Sequence, residues 1–478
     1  MAYALYQDPM QSQPMVVPDT GIGLRLVPKQ FSLTDPVLLR HVLCMMNLVR
    51  NIFHVYLCWR QLRTCNWTKE PPRKLQDSLS RSAFNTTKDE EMYSVESLLL
   101  SYIFDSIFCW IELYFGVYPA LWRAIIRYYG IVDDLIWQSI AYVALFSSYM
   151  VARRLPQIFY SKLVLSKWYG INREKSMSLV GLLCFFSLLL VMLQVILIPL
   201  TPVFLYIESH GGRFFVLWIW GFLFVVTIAA FAVFSLFGLP CIGTTTKLVE
   251  GDLYSSLTDI LDVFGFPPGC VYIIRTFDID TATAYAWNCC CRQRVFIFEN
   301  LLFNQGRPLS ELLPEEIGKG LHSQEVVAYI AHELAHSRLK HVVKTFCMLH
   351  ASLLVYLMIF GTCYHETVIY EAAGFSASFY PPIVGYWLVY KYVMPLYLTI
   401  TNWIIFYFLR KFEYSADKYV FNLGYGDVLS TAFLKLFEDG PVFPVVDPLY
   451  MMWHRSRPTF LQRIHRLSKL RKSKMSGS

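Results

Sequence analysis

Residues 176–207 and 214–246 contain no charged side chain. A helix of roughly 20 residues crosses the hydrocarbon core of a bilayer, and inside lipid a chain must satisfy its own backbone hydrogen bonds. Two such runs close together commit the chain to membrane helices. The composition agrees: only 16% of the 478 residues are charged, against about 25% in soluble domains. Further apolar segments near 37–58, 97–117, 135–152, 345–364 and 383–409 bring the expected spans to about seven. Lys391, inside the last of them, must face protein or water rather than lipid.

Basic residues alternate across the connections. Two Lys/Arg precede the first span, seven fall in 59–93, two in 118–134 and six in 153–175; one falls in 208–213, none in 365–379 and twelve in 410–478. Because cytosolic loops hold the excess of Lys and Arg, the N-terminus is expected in the lumen and the C-terminus in the cytosol, which fits an odd number of spans. The same asymmetry accounts for the net charge of +7, so no nucleic-acid partner is implied. Residues 1–36 lack the apolar core of a cleavable signal. The chain is therefore expected to divide into a lumenal tail (1–36), five membrane helices (37–239), a cytosolic segment (240–344), two more membrane helices (345–409) and a cytosolic tail (410–478). The twelve cysteines show no C-x-x-C spacing, which argues against a zinc ribbon. Cys289, Cys290 and Cys291 read as a turn in preference to a palmitoylation site.

Within 240–344, "GCVYIIRTF" (269–277) and "RVFIFENLLF" (294–303) have the β-branched and aromatic content of strands, and the segment between them supplies a third, edge strand. Ser323 then reads as the N-cap of a helix, with Glu325 in its first turn. That helix runs through "AYIAHELAHSRLKHVV" (328–343) toward the sixth span. His332 and His336 are four apart and share one helical face, the spacing with which two imidazoles hold one tetrahedral zinc. Glu333 beside them can take a proton from an attacking water. His341 lies five beyond His336, where the three-histidine zincin pattern needs six with a glycine between. It reads as a polar residue at the membrane entry. A carboxylate from a second helix is the other way to complete such a site, and "RKFEYSADKY" (410–419) offers Glu413 as third ligand. Asp417, one turn on, can fix the tautomer of a liganding histidine.

"HELAHSRLKH", "RKFEYSAD" and the tail's "MMWHRSRPTFLQRI" (451–464) resemble the type 1 CaaX prenyl proteases. Weaker matches follow in the same order at "YFGVYPALWR", "KWYGINRE", "GFPPGCVYII" and "FIFENLL". The resemblance runs from about residue 50 to 465. It implies a membrane all-α fold of seven helices forming a barrel around a water-filled chamber, with a small α+β metalloprotease domain on the cytosolic side. It also implies one Zn²⁺ per chain on His332, His336 and Glu413, Glu333 as general base and Asp417 as second-layer partner. The implied partners are prenylated CaaX proteins and membrane lipid, and the implied location is the membrane of the endoplasmic reticulum or inner nuclear envelope. Two departures stand out. The family's substrate-binding edge strand has Asn-Ala-Tyr, where this chain has Thr283, Ala284 and Tyr285. The family's His-Pro-Pro is here Arg457-Pro458-Thr459, so Arg457, or else His454, takes the place of the oxyanion-stabilising histidine. Those departures motivate an alternative: a zinc-binding but catalytically slow quality-control or scaffold protein. An intramembrane protease with a D-G ligand motif fits poorly, because Asp439-Gly440 lies in the tail.

Overall fold

The structure, a computed structural model, describes residues 35–76, 79–129, 134–171, 179–233, 243–276, 282–289, 292–314, 316–376 and 380–476. Most of the expected N-terminal tail, together with Cys290 and Cys291, lies outside the described residues.

Six helical segments are long and apolar enough to cross a membrane: Pro36–Trp67, Arg81–Tyr114, Leu135–Trp168, Val180–Val233, His341–Cys363 and Pro382–Asn422. The first three are α1, α2 and, after the shorter α3 (Val117–Tyr129), α4. The fourth consists of two helices, α5 (Leu179–Gly211) and α6 (Phe215–Val233), joined by a tight turn at Gly212–Phe214. Each of the two is long enough for its own crossing.

The third helix differs from its reading in the sequence. The apolar run that seems to stop at Ala152 continues as helix to Trp168, with a π-helical turn at Ser161–Leu165. Arg153, which looks like the end of a span, is answered inside the bundle. Its guanidinium donates to Glu112 (2.6 Å) and Asp105 (2.5 Å). Glu112 is fully buried and also accepts from Tyr392 (2.7 Å), Tyr149 (2.9 Å) and the ammonium of Lys391. Lys391 thus faces protein, as its position in a span required. Asp105 meets Arg50 of α1 at 3.2 Å. One charged network therefore joins α1, α2, α4 and the last membrane helix.

Two adjoining cavities lie between these helices. A polar one of about 510 Å³ is lined by Arg50, Asp105, Arg153 and Lys391 among others. An apolar one of about 830 Å³ is walled by Leu193, Leu197, Leu353 and Phe360 among others. Met150, Arg154 and Tyr390 line both.

The non-membrane part is built on a four-stranded sheet in the order β1-β2-β4-β3. The strands are β1 (Gly243–Lys247), β2 (Val271–Thr276), β3 (Ala284–Cys289) and β4 (Arg292–Phe298). Strands β2 and β4 run parallel; β1 and β3 are antiparallel to their neighbours. Three of these answer to the strand readings, while β1 has no alternating pattern to reveal it. Helix α7 (Asp252–Phe264) separates β1 from β2. One face of the sheet packs on α8 (Ser323–Arg338), whose Val326, Val327, Ile330, Ala331, Leu334 and Ala335 form a buried stripe at helical spacing. The helix begins one residue earlier than expected: His322 is the N-cap, and its backbone N–H donates to Glu325 (3.0 Å). After α8 come α9 (His341–Cys363), α10 (Pro382–Asn422), α11 (Gly426–Asp439), α12 (Pro448–His454) and α13 (Phe460–Ser476). Phe433 of α11 and Ile464 and Leu467 of α13 complete the core beneath α8.

Removing one member of a buried ion pair leaves its partner charged and unanswered, at a cost of about 3–5 kcal/mol. Glu112→Ala should therefore lower the thermal midpoint of the detergent-solubilised protein sharply, and Glu112→Leu combined with Lys391→Leu should recover much of that loss. A Glu112→Ala protein that melts like wild type would show the network to be dispensable.

Candidate metal centre

Two helices that cross at their polar ends bring the expected residues together. On α8, His332 and His336 flank the buried stripe. On α10, Glu413 and Asp417 lie one turn apart and face them. His332 Nε2 is 3.1 Å from His336 Nε2 and 3.3 Å from Glu413 Oε2, and His336 Nε2 is 3.9 Å from the same oxygen. Neighbouring donors around a tetrahedral zinc at about 2.1 Å are themselves roughly 3.4 Å apart. The three donor atoms therefore already stand about where one metal would hold them, and among the described residues they are the one such cluster. Burial, with His332 adding to it, pushes the His336 imidazole down to about 3, so it offers a lone pair at neutral pH. Glu333 is half-buried beside them, and its desolvation pushes its carboxyl above the usual range. A raised carboxylate beside a water site is suited to proton transfer.

Asp417 is 1% exposed and stands 3.0 Å from His332 Nδ1. Such a carboxylate stays charged only if it is answered, and the answer is Arg463 of α13, which the motif readings passed over. Its Nε and Nη2 donate to the two Asp417 oxygens at 3.0 and 2.6 Å. Its Nη1 lies 3.4 Å from Glu413 Oε2, Nη2 lies against the edge of the His332 ring at 3.0–3.2 Å, and the guanidinium covers the Phe433 face at 4.0 Å. In the sequence it is one cation in the tail stretch "FLQRI", flanked by the apolar Phe460, Leu461 and Ile464.

His341 was also underread. It is the first residue of the span α9, at its entry as expected, but it is buried there and its Nδ1 is 3.0 Å from His336 Nδ1. Arg457 stands in the open cleft, 82% exposed, with Nε 3.7 Å from Glu413 Oε1. It is carried there by α12, whose terminal carbonyls are closed by Arg410: the guanidinium donates to Met451, Met452 and Arg455 at 3.3, 3.4 and 2.6 Å. Helix ends require such partners. His454, the other candidate for that role, turns elsewhere, its ring 3.3 Å from His54 and stacked on Tyr450. Asp439 accepts from the Gly320 N–H and Lys435 at 2.8 and 2.7 Å, a structural use of the D-G pair.

Strand β3 lies at the sheet edge and packs over α8. The Phe298 N–H donates to the Thr283 carbonyl at 3.0 Å. Opposed antiparallel residues alternate between exchanging hydrogen bonds and pointing away, so Ala284 and Ala286 offer their backbone groups to the free edge. The Thr283 hydroxyl reaches Tyr329 of α8 at 3.4 Å. Ala284 is buried toward α8, whereas the Tyr285 ring packs on Phe296 and Phe298 of the opposite face. The Tyr285 backbone, opposed to Phe296, turns inward to β4 in the same alternation, so Tyr285 offers the free edge neither its ring nor its backbone groups.

Comparison with known proteins follows the same division of the chain. Residues 61–244 match the CAAX prenyl protease N-terminal family, described as five membrane helices, and residues 247–471 match peptidase family M48. A Homo sapiens protein named CAAX prenyl protease 1 homolog is 25% identical over 455 residues, covering 88% of this chain and 93% of its own. CAAX prenyl protease 1 of Saccharomyces cerevisiae is 26% identical over 437 residues, with 86% and 91% covered. The crystal structure of S. mikatae Ste24p superposes with a TM-score of 0.72 at 23% identity, covering 90% of this chain and 98% of that one. This multi-pass membrane protein, with its His-His-Glu cluster at the end of two adjoining helices, belongs to the CAAX prenyl protease 1 family of M48 metallopeptidases.

Proposed function

We propose that this chain removes the C-terminal tripeptide of prenylated CaaX proteins at the membrane of the endoplasmic reticulum, with one zinc ion held by His332, His336 and Glu413. The observation that carries the reading is the convergence of those three donor atoms beside Glu333, beneath an edge strand with free backbone groups. In this reading the chain crosses the bilayer seven times. The N-terminus is lumenal and the face bearing α8 and α13 is cytosolic, following the distribution of Lys and Arg.

When bound, the metal polarises the scissile carbonyl and makes the attacking water more acidic. Ala284 and Ala286 receive the substrate's main chain as an added strand, a mode that demands little of the substrate's side chains. Thr283, tied to Tyr329, holds the head of that strand in place. Glu333 takes the proton of the attacking water and passes it to the leaving amine. Arg457, which uses one edge of its guanidinium on Glu413, keeps further N–H groups for the oxyanion that forms at the carbonyl carbon. Asp417 accepts from His332 Nδ1–H and so leaves Nε2 free for the metal.

Cleavage of a farnesylated CaaX peptide by the purified protein is the direct test. Glu333→Gln should abolish turnover while zinc stays bound, and His336→Ala should lose the metal. Equal cleavage by wild type and Glu333→Gln would discard the base. Stoichiometric zinc with no cleavage of any prenylated peptide would favour a slow scaffold instead. Loss of one oxyanion donor typically costs ~10²–10³ in rate, so Arg457→Ala should lower kcat by that factor with KM little changed, and Arg457→His, which keeps a donor, should not. Arg463→Met removes the cation but keeps the bulk. It should destabilise the metal-free protein by about 3–5 kcal/mol, read as a lower melting midpoint; an unchanged midpoint would show that Asp417 does not depend on it.

A further inference from the structure

The two histidines of the metal cluster are backed differently. His332 has the carboxylate of Asp417, itself held by Arg463. Among the described residues, no carboxylate meets His336 at its Nδ1. That atom instead faces Nδ1 of His341 at 3.0 Å. On the far side of the His341 ring, Nε2 is 3.1 Å from the Ser415 hydroxyl, and that hydroxyl donates to the Phe412 carbonyl at 2.9 Å. The His341 ring also stacks on Phe412, with centroids 4.5 Å apart and planes 13° from parallel.

Donor and acceptor counts allow one assignment along this line. His336 directs Nε2 to the metal side, so as a neutral ligand it carries its proton on Nδ1. His341 Nδ1 must then accept, which puts the His341 proton on Nε2. That proton goes to Ser415 Oγ, whose own proton goes to the Phe412 carbonyl. The line ends on the backbone of α10, one residue before Glu413. Every N–H and O–H in it then has one acceptor.

The chain goes to some length to place His341 there. Between α8 and α9, Lys340 adopts φ 55° and ψ 38°, a left-handed conformation that costs a non-glycine residue about 1 kcal/mol or more. That single reversal breaks the helix so that the first residue of α9 folds back onto His336. An unbroken helix would carry a residue five positions on away from the His336 face.

We propose that His341 is a positioning residue for the metal. As a neutral acceptor, relayed through Ser415 to the Phe412 carbonyl, it fixes the Nδ1–H tautomer and the ring orientation of His336. The proposal rests on the zinc reading above and goes beyond it. His341 is not itself a ligand, since the nitrogen near His336 meets the side of that ring turned away from the donor cluster. The line also ties α9 to α10 at the base of the site, so the membrane helices and the metal share one register.

Zinc release from the full-length, detergent-purified protein tests this directly, with a chromogenic chelator as the readout and the melting midpoint of the metal-free form as the control for folding. Loss of such outer partners typically costs ~10–100-fold in metal affinity. His341→Phe keeps the stacking on Phe412 and removes the acceptor, so it should release zinc ~10–100-fold faster at a near-normal midpoint. His341→Gln, whose amide oxygen can accept from His336, should stay close to wild type. Ser415→Ala should fall between the two. The proposal is overturned if His341→Phe holds zinc as wild type does, or if His341→Gln leaks as fast as His341→Phe. Should His341→Phe fail to fold, His341→Gln close to wild type together with faster release from Ser415→Ala supports the relay, and unchanged release from Ser415→Ala overturns it. Failure of the wild-type protein to take up zinc would strike the underlying metal reading instead.

Discussion

A charge that cannot reach water must be answered by another charge or by several hydrogen bonds, and the Asp417–Arg463 pair is where this chain depends on that rule most. Asp417 is 1% exposed, and two hydrogen bonds from Arg463 answer it. Without the guanidinium, the carboxyl would favour its neutral form, and His332 would lose the acceptor that holds its metal-facing nitrogen free. The consequence is topological. Arg463 and His332 are 131 residues apart, so the cluster is complete only when the last long helix of the chain has docked under α8. Assembly of the donor cluster and closure of the C-terminal part of the fold are therefore coupled through one side chain.

The same rule organises the membrane helices. In lipid, apolar side chains gain little by leaving one hydrocarbon environment for another, so close packing and polar contacts must select the partners. Glu112 accepts from α4 and α10, and Asp105 from α1 and α4. These directional contacts set helices that would otherwise slide past one another. They also line the polar cavity and give its wall charged groups already committed to one another.

Much of this was legible in the sequence, and the parts that were not share a cause. The charge-free runs and the His332–His336 and Glu413–Asp417 pairs are local patterns, and each was readable from its own segment. Arg463 and His341 were not, because their roles are set by elements brought together only in the fold. Arg153 misled for the same reason: hydropathy treats each charge alone, while here Glu112 and Asp105 neutralise it from another helix and the span continues to Trp168. His454 was plausible by its nearness to Arg457 in the chain, but the short helix α12 turns it toward His54. Strand β1 is rich in threonine and has four exposed residues in five, so no alternation marks it.

The unequal backing of the two histidines has an electrostatic consequence. Around the centre, the carboxylates of Glu333, Glu413 and Asp417 stand against the guanidiniums of Arg457 and Arg463. That leaves one negative charge, which a divalent metal turns into one positive. A second carboxylate in the place of His341 would hold the His336 tautomer equally well, but it would bring the balance to zero where an oxyanion must form. A neutral imidazole gives the same hydrogen bond without that charge. In the proposed mechanism Arg457 would act in the same direction, since a guanidinium is charged at any working pH where a histidine would be so only in part. In that mechanism one histidine would take its orientation from a charged pair and the other from a neutral relay, and the metal-loaded site would keep a net positive field toward the developing oxyanion.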